Sequence, residues 1–232
     1  MTPKILVYDE EWFPNISYTW GMWEQNVIKI IREGYMLSFH ALLNGKHISK
    51  GLCDYEGYNG GPEKEKDLAQ DLWKLFDEAD IVIGFNSDKF DNRKANALFF
   101  KYRLGVPSPY KSIDLMKIWK RNFQTNANSL KYIAEYANIK KKMENEGFPL
   151  WEGCDQGDPK YWKKMLAYNK QDVVVTNNLY QELLPWIQNH PHVSFDGCRN
   201  CGGAVLATTR TYMTKNKGEQ TRYQCAKCGH WS

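Results

Sequence analysis

The sequence has no long apolar run. Hydrophobic residues make up 42% of its 232 positions, yet no stretch approaches the roughly 20 residues that a membrane-spanning helix needs. The opening Met1 to Asp9 holds an apolar stretch of only about four residues, too short for the core of a secretory signal. A soluble, cytoplasmic protein is therefore expected, with no membrane partner. There is no internal repeat and no low-complexity segment, which argues against a repeat architecture. A large excess of one charge is missing too: 31 Lys and Arg stand against 27 Asp and Glu, a formal +4. Aromatics, by contrast, are plentiful, with 9 Trp, 14 Tyr and 10 Phe. A disordered polymer would be poorer in them.

The small charge excess is unevenly placed. From Val193 to Ser232 there are six Lys and Arg residues against two acids, which is the whole of the +4. Residues 1–192 hold 25 of each sign. Four of the six cysteines also lie beyond residue 192. Composition thus predicts two modules, residues 1–192 and 193–232.

Within the first module, Lys4-Ile5-Leu6-Val7-Tyr8 reads as a buried strand ending at the acids Asp9-Glu10-Glu11. Tyr35 to Leu43 and Lys46 to Leu52 read as strands joined by Asn44-Gly45, a strong type I′ hairpin signal. Leu68, Leu72, Leu75 and Phe76 repeat at helical spacing between Lys64 and Ala79. Asp80 to Phe85 is a further buried strand. Helices are expected over Arg93 to Leu104, stopped by Gly105 and Pro107, from Asn128-Ser129 to about Asn138, and from Asp158-Pro159 to about Leu184. This order predicts an α/β domain with a mixed sheet.

Three groups of acids occupy places where chemistry is usually built. Asp9 and Glu11 share a strand face by their period of two. Asp91 follows the strand Ile81 to Phe85 through a turn. Tyr168 and Asp172 are four apart on a helix and share its face. Four carboxylates brought together repel one another, and divalent cations make such a cluster tolerable. Oxygen-only ligands favour Mg²⁺ or Mn²⁺ over zinc. Two such ions about 4 Å apart hold the attacking and leaving oxygens of a phosphodiester in line.

The motifs resemble those of the DnaQ-like, DEDD 3′–5′ exonucleases in their tyrosine form. The residues concerned are Asp9-Glu10-Glu11-Trp12-Phe13-Pro14, Gly84 to Asp91 with its Asn86 and Phe90-Asp91, and Tyr168-Asn169-Lys170-Gln171-Asp172. The resemblance covers residues 3–190 and is nearest to the exonuclease domains of family-B DNA polymerases and to stand-alone, often phage-encoded, exonucleases. It implies an RNase H-like mixed sheet flanked by helices. It also implies roles: Asp9 bridging two Mg²⁺ or Mn²⁺ ions, Glu11 binding one of them and positioning water, Asp91 holding the weaker ion, Asp172 binding the ion that activates water, and Tyr168 orienting that water. Asn86 and Phe90 would line the 3′-terminal nucleotide. Glu10 departs from the family, where this position is usually apolar, and a regular strand would turn it away from the ions. Asp88 is an alternative to Asp91, less favoured because the Phe-Asp pair carries the motif. Asp114 reads as an ordinary loop acid, with a supporting role behind the metal ligands as the alternative. Trp20, Trp23 and Trp119 fall in segments suited to a substrate groove, although aromatic residues of this domain are mostly expected in the core.

The tail carries Cys198-Arg199-Asn200-Cys201 and Cys225-Ala226-Lys227-Cys228, two Cys-x-x-Cys knuckles 23 residues apart. Gly202-Gly203 and Gly229 follow them, and strand-like runs lie between. This resembles a zinc ribbon with one structural Zn²⁺ held by four thiolates, whose binding supplies the folding energy of so small a unit. Cys53 and Cys154 read as ordinary reduced residues. The expected activity is 3′–5′ hydrolysis of nucleic acid, preferably single-stranded DNA. A separate DNA polymerase or a replication or repair protein is the expected partner. The rivals are the same chemistry on RNA or on a structured junction, and a non-catalytic nucleic-acid-binding adaptor.

Overall fold

The apolar run at the start of the chain opens β1 (Ile5–Phe13), which continues through the acids instead of ending at them. The computed structural model describes residues 3–23, 25–139, 146–188, 190, 204–214, 218–226, 229 and 231. After β1 come a separate small hairpin, β2 (Ile16–Tyr18) and β3 (Lys29–Arg32), and then β4 (Tyr35–Leu43) and β5 (Lys46–Gly51). Asn44 and Gly45 join the last two with positive φ at both positions, 47° and 84°, as a type I′ turn requires. There follow α1 (Glu65–Glu78), β6 (Ile81–Gly84), α2 (Asp91–Lys101), β7 (Lys111–Asp114), α3 (Leu115–Asn122), α4 (Leu130–Tyr136), α5 (Phe148–Asp155) and α6 (Pro159–Leu183).

Five strands form one mixed sheet in the order β5-β4-β1-β6-β7. The β5–β4 and β4–β1 pairs are antiparallel, and the β1–β6 and β6–β7 pairs are parallel. Helices cover both faces. On one, Tyr8 packs edge-on against Phe76 of α1 at 4.9 Å between ring centroids and donates to Asn92 of α2. On the other, Asn169 of α6 reaches Asp9. Leu68, Leu72 and Phe76 are fully buried along α1, each contributing about 1.5–3 kcal/mol of burial.

Helix ends follow local chemistry. The helix expected over Arg93 to Leu104 starts earlier, at Asp91, and ends at Lys101. Arg103 takes φ 58°, and the N–H groups of Arg103 and Leu104 bond back to the carbonyls of Phe100 and Phe99. This pair of bonds is a Schellman ending with Arg in the left-handed position. α4 ends the same way, with Asn138 at φ 53°. α6 opens at Pro159, with the Asp158 carboxylate accepting the Lys160 N–H at 2.8 Å. Trp119 is buried on α3 and donates to Thr125, so it belongs to the core and not to a groove. Cys53 and Cys154 are unpaired. Burial pushes both thiols up to about 12, so they remain protonated.

Lys4–Glu182 form one compact unit, and the residues from Leu183 onward belong to another. In the second unit, β8 (Val205–Thr214) and β9 (Gly218–Cys225) pair antiparallel with an irregularity between Ala207 and Thr211. Cys225 is buried at the end of β9, opposite Val205. The Gly229 N–H bonds to the Cys225 carbonyl at 3.0 Å, with Gly229 at φ 73°. Cys198, Cys201 and Cys228 lie outside the described residues.

One buried acid ties three elements of the first unit together. Glu65 is 1% exposed and opens α1. It accepts the Met36 N–H of β4 at 3.0 Å, the Tyr102 hydroxyl at 2.6 Å and the Lys101 ammonium at 2.7 Å. Removing one partner from such a set strands the others. Glu65→Ala is expected to lower unfolding free energy by about 2–4 kcal/mol, and Glu65→Gln by clearly less, because an acceptor for Met36 survives. Urea denaturation of the two variants checks the order; equal losses would contradict it.

Candidate metal centre and active site

Because side chains alternate along a strand, β1 shows acids to both faces of the sheet. Asp9 and Glu11 point towards α6. Asp9, Glu11 and Asp172 each place a carboxylate oxygen within 4.8 Å of the others. Asp172 is buried, at 3% exposure. Tyr168, one turn earlier on α6, is also buried and packs edge-on against Trp151 of α5 at 6.1 Å. α5 can lie close to α6 because Gly153 has no side chain: a Cβ there would meet the Tyr161 ring at 2.2 Å.

Asn169 is a site residue that the motif reading passed over. It is fully buried, and its Nδ2 donates to Asp9 Oδ2 at 2.8 Å and to the Asp9 carbonyl at 3.2 Å. Its other end faces Ser38 Oγ, 3.5 Å away on β4. The available signal was its i, i+3 spacing from Asp172 on the same helix face. Across the sheet, His40 stands opposite Asp9 in register and meets His47 at 2.9 Å. Burial, then His47 and Lys170, lower its pKa to about 4.

Asp91 lies outside the three-carboxylate group. It is the first residue of α2, where the helix dipole favours an anion. Burial nevertheless pushes its carboxyl up to about 6, with Asp114 adding and its own backbone hydrogen bond and Lys94 opposing. Asp88 is engaged elsewhere: it accepts from Asn92, Ser112 and Lys117. Burial alone would raise its pKa, but the hydrogen bonds from Lys117 and Ser112 outweigh it and hold the carboxyl low. Asp114 differs from the loop acid expected. It is buried at the end of β7 and caps α3. Its Oδ1 also accepts the Asn86 N–H at 2.9 Å, which braces Asn86 at φ 60°. Phe90, just before α2, is half exposed beneath the Lys89 ammonium.

Glu10 faces away from Asp9 and Glu11, as a regular strand dictates, yet it is buried at 6% exposure. Trp12 Nε1 donates to its Oε2 at 2.7 Å, while its Oε1 has no hydrogen-bond partner. Burial raises its pKa well above the carboxylate range, and the Asp91 charge raises it further against Trp12 and Lys94. An acid whose folded pKa is raised loses folding free energy as pH climbs above its unfolded value. Glu10→Gln keeps the acceptor for Trp12 and removes the titration. The metal-free variant is therefore expected to be more stable than the parent, by a margin on the order of 1 kcal/mol that widens from about pH 5 to pH 8. Urea unfolding at both pH values, in chelator, measures it; a margin that shrinks with pH would refute the placement.

Three comparisons bear on this geometry. No curated protein matches the chain. Among solved structures, the family B DNA polymerase from the hyperthermophilic archaeon Pyrobaculum calidifontis shares the fold, with a TM-score of 0.56 over 80% of this chain at 19% identity. The chain spans 25% of that polymerase's length. The RNase_H superfamily profile matches residues 35–184, from β4 to the end of α6, so the match includes Asp91 and Asp172 and begins after Asp9 and Glu11. That stretch is well over half of the chain, and with it the chain belongs to the RNase H superfamily.

Proposed function

We propose that this chain is a metal-dependent 3′–5′ exonuclease that hydrolyses nucleic acid, preferably single-stranded DNA. The observation that carries the reading is the convergence of Asp9, Glu11 and Asp172 within 4.8 Å. Three carboxylates so close destabilise one another unless cations sit among them. Their all-oxygen donor set fits Mg²⁺ or Mn²⁺. Asp9, Glu11 and Asp172 would hold the ions, with Asp91 contributing to the more weakly held one from the start of α2. Bound there, divalent ions supply an activated water and neutralise charge on the phosphodiester. The protein's own groups do the positioning. Asn169 fixes the Asp9 carboxylate. Tyr168 orients the attacking water. Asn86, braced by Asp114, and the half-exposed Phe90 flank the 3′-terminal nucleotide.

The second unit is a zinc ribbon in this reading, with Cys198, Cys201, Cys225 and Cys228 as ligands. The buried Cys225 and the turn closing on Gly229 support it. A DNA polymerase or a replication or repair protein is the partner in this reading, supported by the similarity in fold to the archaeal polymerase.

A single strand labelled at its 5′ end, incubated with Mg²⁺ or Mn²⁺, is expected to shorten from the 3′ end, and to stay intact in chelator. Asp9→Ala and Asp172→Asn each reduce the rate by about a thousandfold or more. Asn169→Ala weakens metal affinity by about 10–100-fold, as loss of a ligand-orienting partner does. Full-length substrate persisting with metal-loaded protein would overturn the enzyme. RNA, duplex and junction substrates run in parallel decide the preference. Elemental analysis should find one zinc per chain, from the four-thiolate count; a zinc-free folded protein would remove the ribbon.

A further inference from the structure

The hairpin β2–β3 has no core of its own. None of the described residues from Pro14 to Gly34 is buried. Its tip carries Trp20, Met22 and Trp23 at 88%, 87% and 79% exposure, and Tyr18 and Val27 are more than half exposed. A lone two-stranded hairpin is marginal in water, and an exposed apolar patch of this kind marks a contact surface. We propose that this hairpin is a stacking platform for unpaired bases of the nucleic-acid strand whose end occupies the carboxylate centre. The inference rests on the function proposed above and specifies where the strand runs.

Continuity with that centre is what favours bases over a protein partner. β2 starts five residues after Glu11 on the same chain. A row of rings leads from the centre to the foot of the hairpin. Tyr168 packs against Trp151; Phe148, on the same helix as Trp151, packs against Phe13 at 6.1 Å; and Phe13 stacks on Tyr35 at 5.4 Å. Phe148 is more than half exposed and offers a face to solvent between the centre and the hairpin, while Tyr168, Phe13 and Tyr35 are buried around it. Arg32 lies over the Phe13 and Tyr35 rings and pairs with Asp155, so it braces the foot. Gly34 N–H closes the foot by donating to Asn15 Oδ1 at 2.6 Å. Aromatic faces in series bind any base, because every base has a π face, and they add affinity with each nucleotide engaged. The platform would therefore tighten binding of long strands and leave the shortest ones unaffected.

The test uses the full chain with chelator present, so that binding is read without cleavage. Fluorescence anisotropy compares the parent with the double variant Trp20→Ala, Trp23→Ala on labelled strands of about 3 and about 12 nucleotides. Both side chains are exposed, so the fold is retained, and thermal melting verifies it. The expected result is at least about a tenfold loss of affinity for the longer strand and less than about a twofold change for the shorter. Phe100→Ala, which removes an aromatic 75% exposed on α2, should bind both strands as the parent does. If the parent cleaves strands and the double variant binds the long one equally well, the platform is wrong and the exonuclease stands. If sedimentation shows a dimer of the parent that the double variant loses, with strand affinity unchanged, the hairpin is an interface between copies. If the parent neither binds nor cleaves any strand, the exonuclease reading falls and takes this inference with it.

Discussion

Negative charge held close together in the middle of the sheet is the constraint on which the rest of the domain turns. β1 pairs antiparallel with β4 from Leu6 to Phe13 and parallel with β6 from Ile5 to Val7, so its register is fixed and its alternation decides which acid meets which helix. Asp9 and Glu11 are delivered to α6 and Asp172. Tyr8 is delivered to Asn92 of α2, and Glu10 turns to the side of β1 away from Asp9 and Glu11, where Trp12 donates to it. Both faces pay electrostatically, but only one gathers three acids within reach of a common ion. A one-residue slip of β1 would exchange the two sets. The uncharged polar contacts around β1, Asn169 on Asp9 and Asn92 on Tyr8, hold the strand to that register without adding cations that would compete for the site.

Much of this was legible in the residue order. The Asn44-Gly45 hairpin, the periodic α1 and the Pro159 start of α6 follow from local chemistry, and the structure places them where that chemistry puts them. The grouping of Asp9 and Glu11 with Asp172 was legible because strand and helix periods put each pair on one face. What was not legible depends on distant partners. Asn169 looks like any helical asparagine until β1 is placed beside it. Asp114 reads as a loop acid because its cap on α3 and its bond to Asn86 arise from folding β7 next to β6. β7 itself is four residues long with three of them polar, too short for its alternation to stand out. Glu10 was read correctly for direction but not for burial, since only the packing of α2 shuts out the water.

The acids outside the three-carboxylate group differ sharply in their surroundings. Asp88 is only three positions from Asp91, yet Ser112, Asn92 and Lys117 consume its oxygens. Its carboxyl is stabilised as an anion and serves the packing of α2 on β7. Asp91, with burial working against its charge, is the member of the pair that gains most from a cation. Neighbouring carboxylates of identical chemistry thus stand in opposite electrostatic settings, set by burial and by the partners within reach of each.

The clamp between Asn15 and Gly34 pins the foot of the hairpin to the end of β1. It closes the excursion from β1 to β4, and Gly34 sits so tightly that a Cβ there would strike the Phe13 carbonyl at 2.5 Å. With its ends pinned, the segment between them behaves as an insertion, and insertions of this type tolerate changes of length and composition at little thermodynamic cost. Selection can therefore rewrite residues 16–33 without moving Asp9 or Glu11. The length and composition of the hairpin and the placing of the acids are therefore separable properties of the same fold.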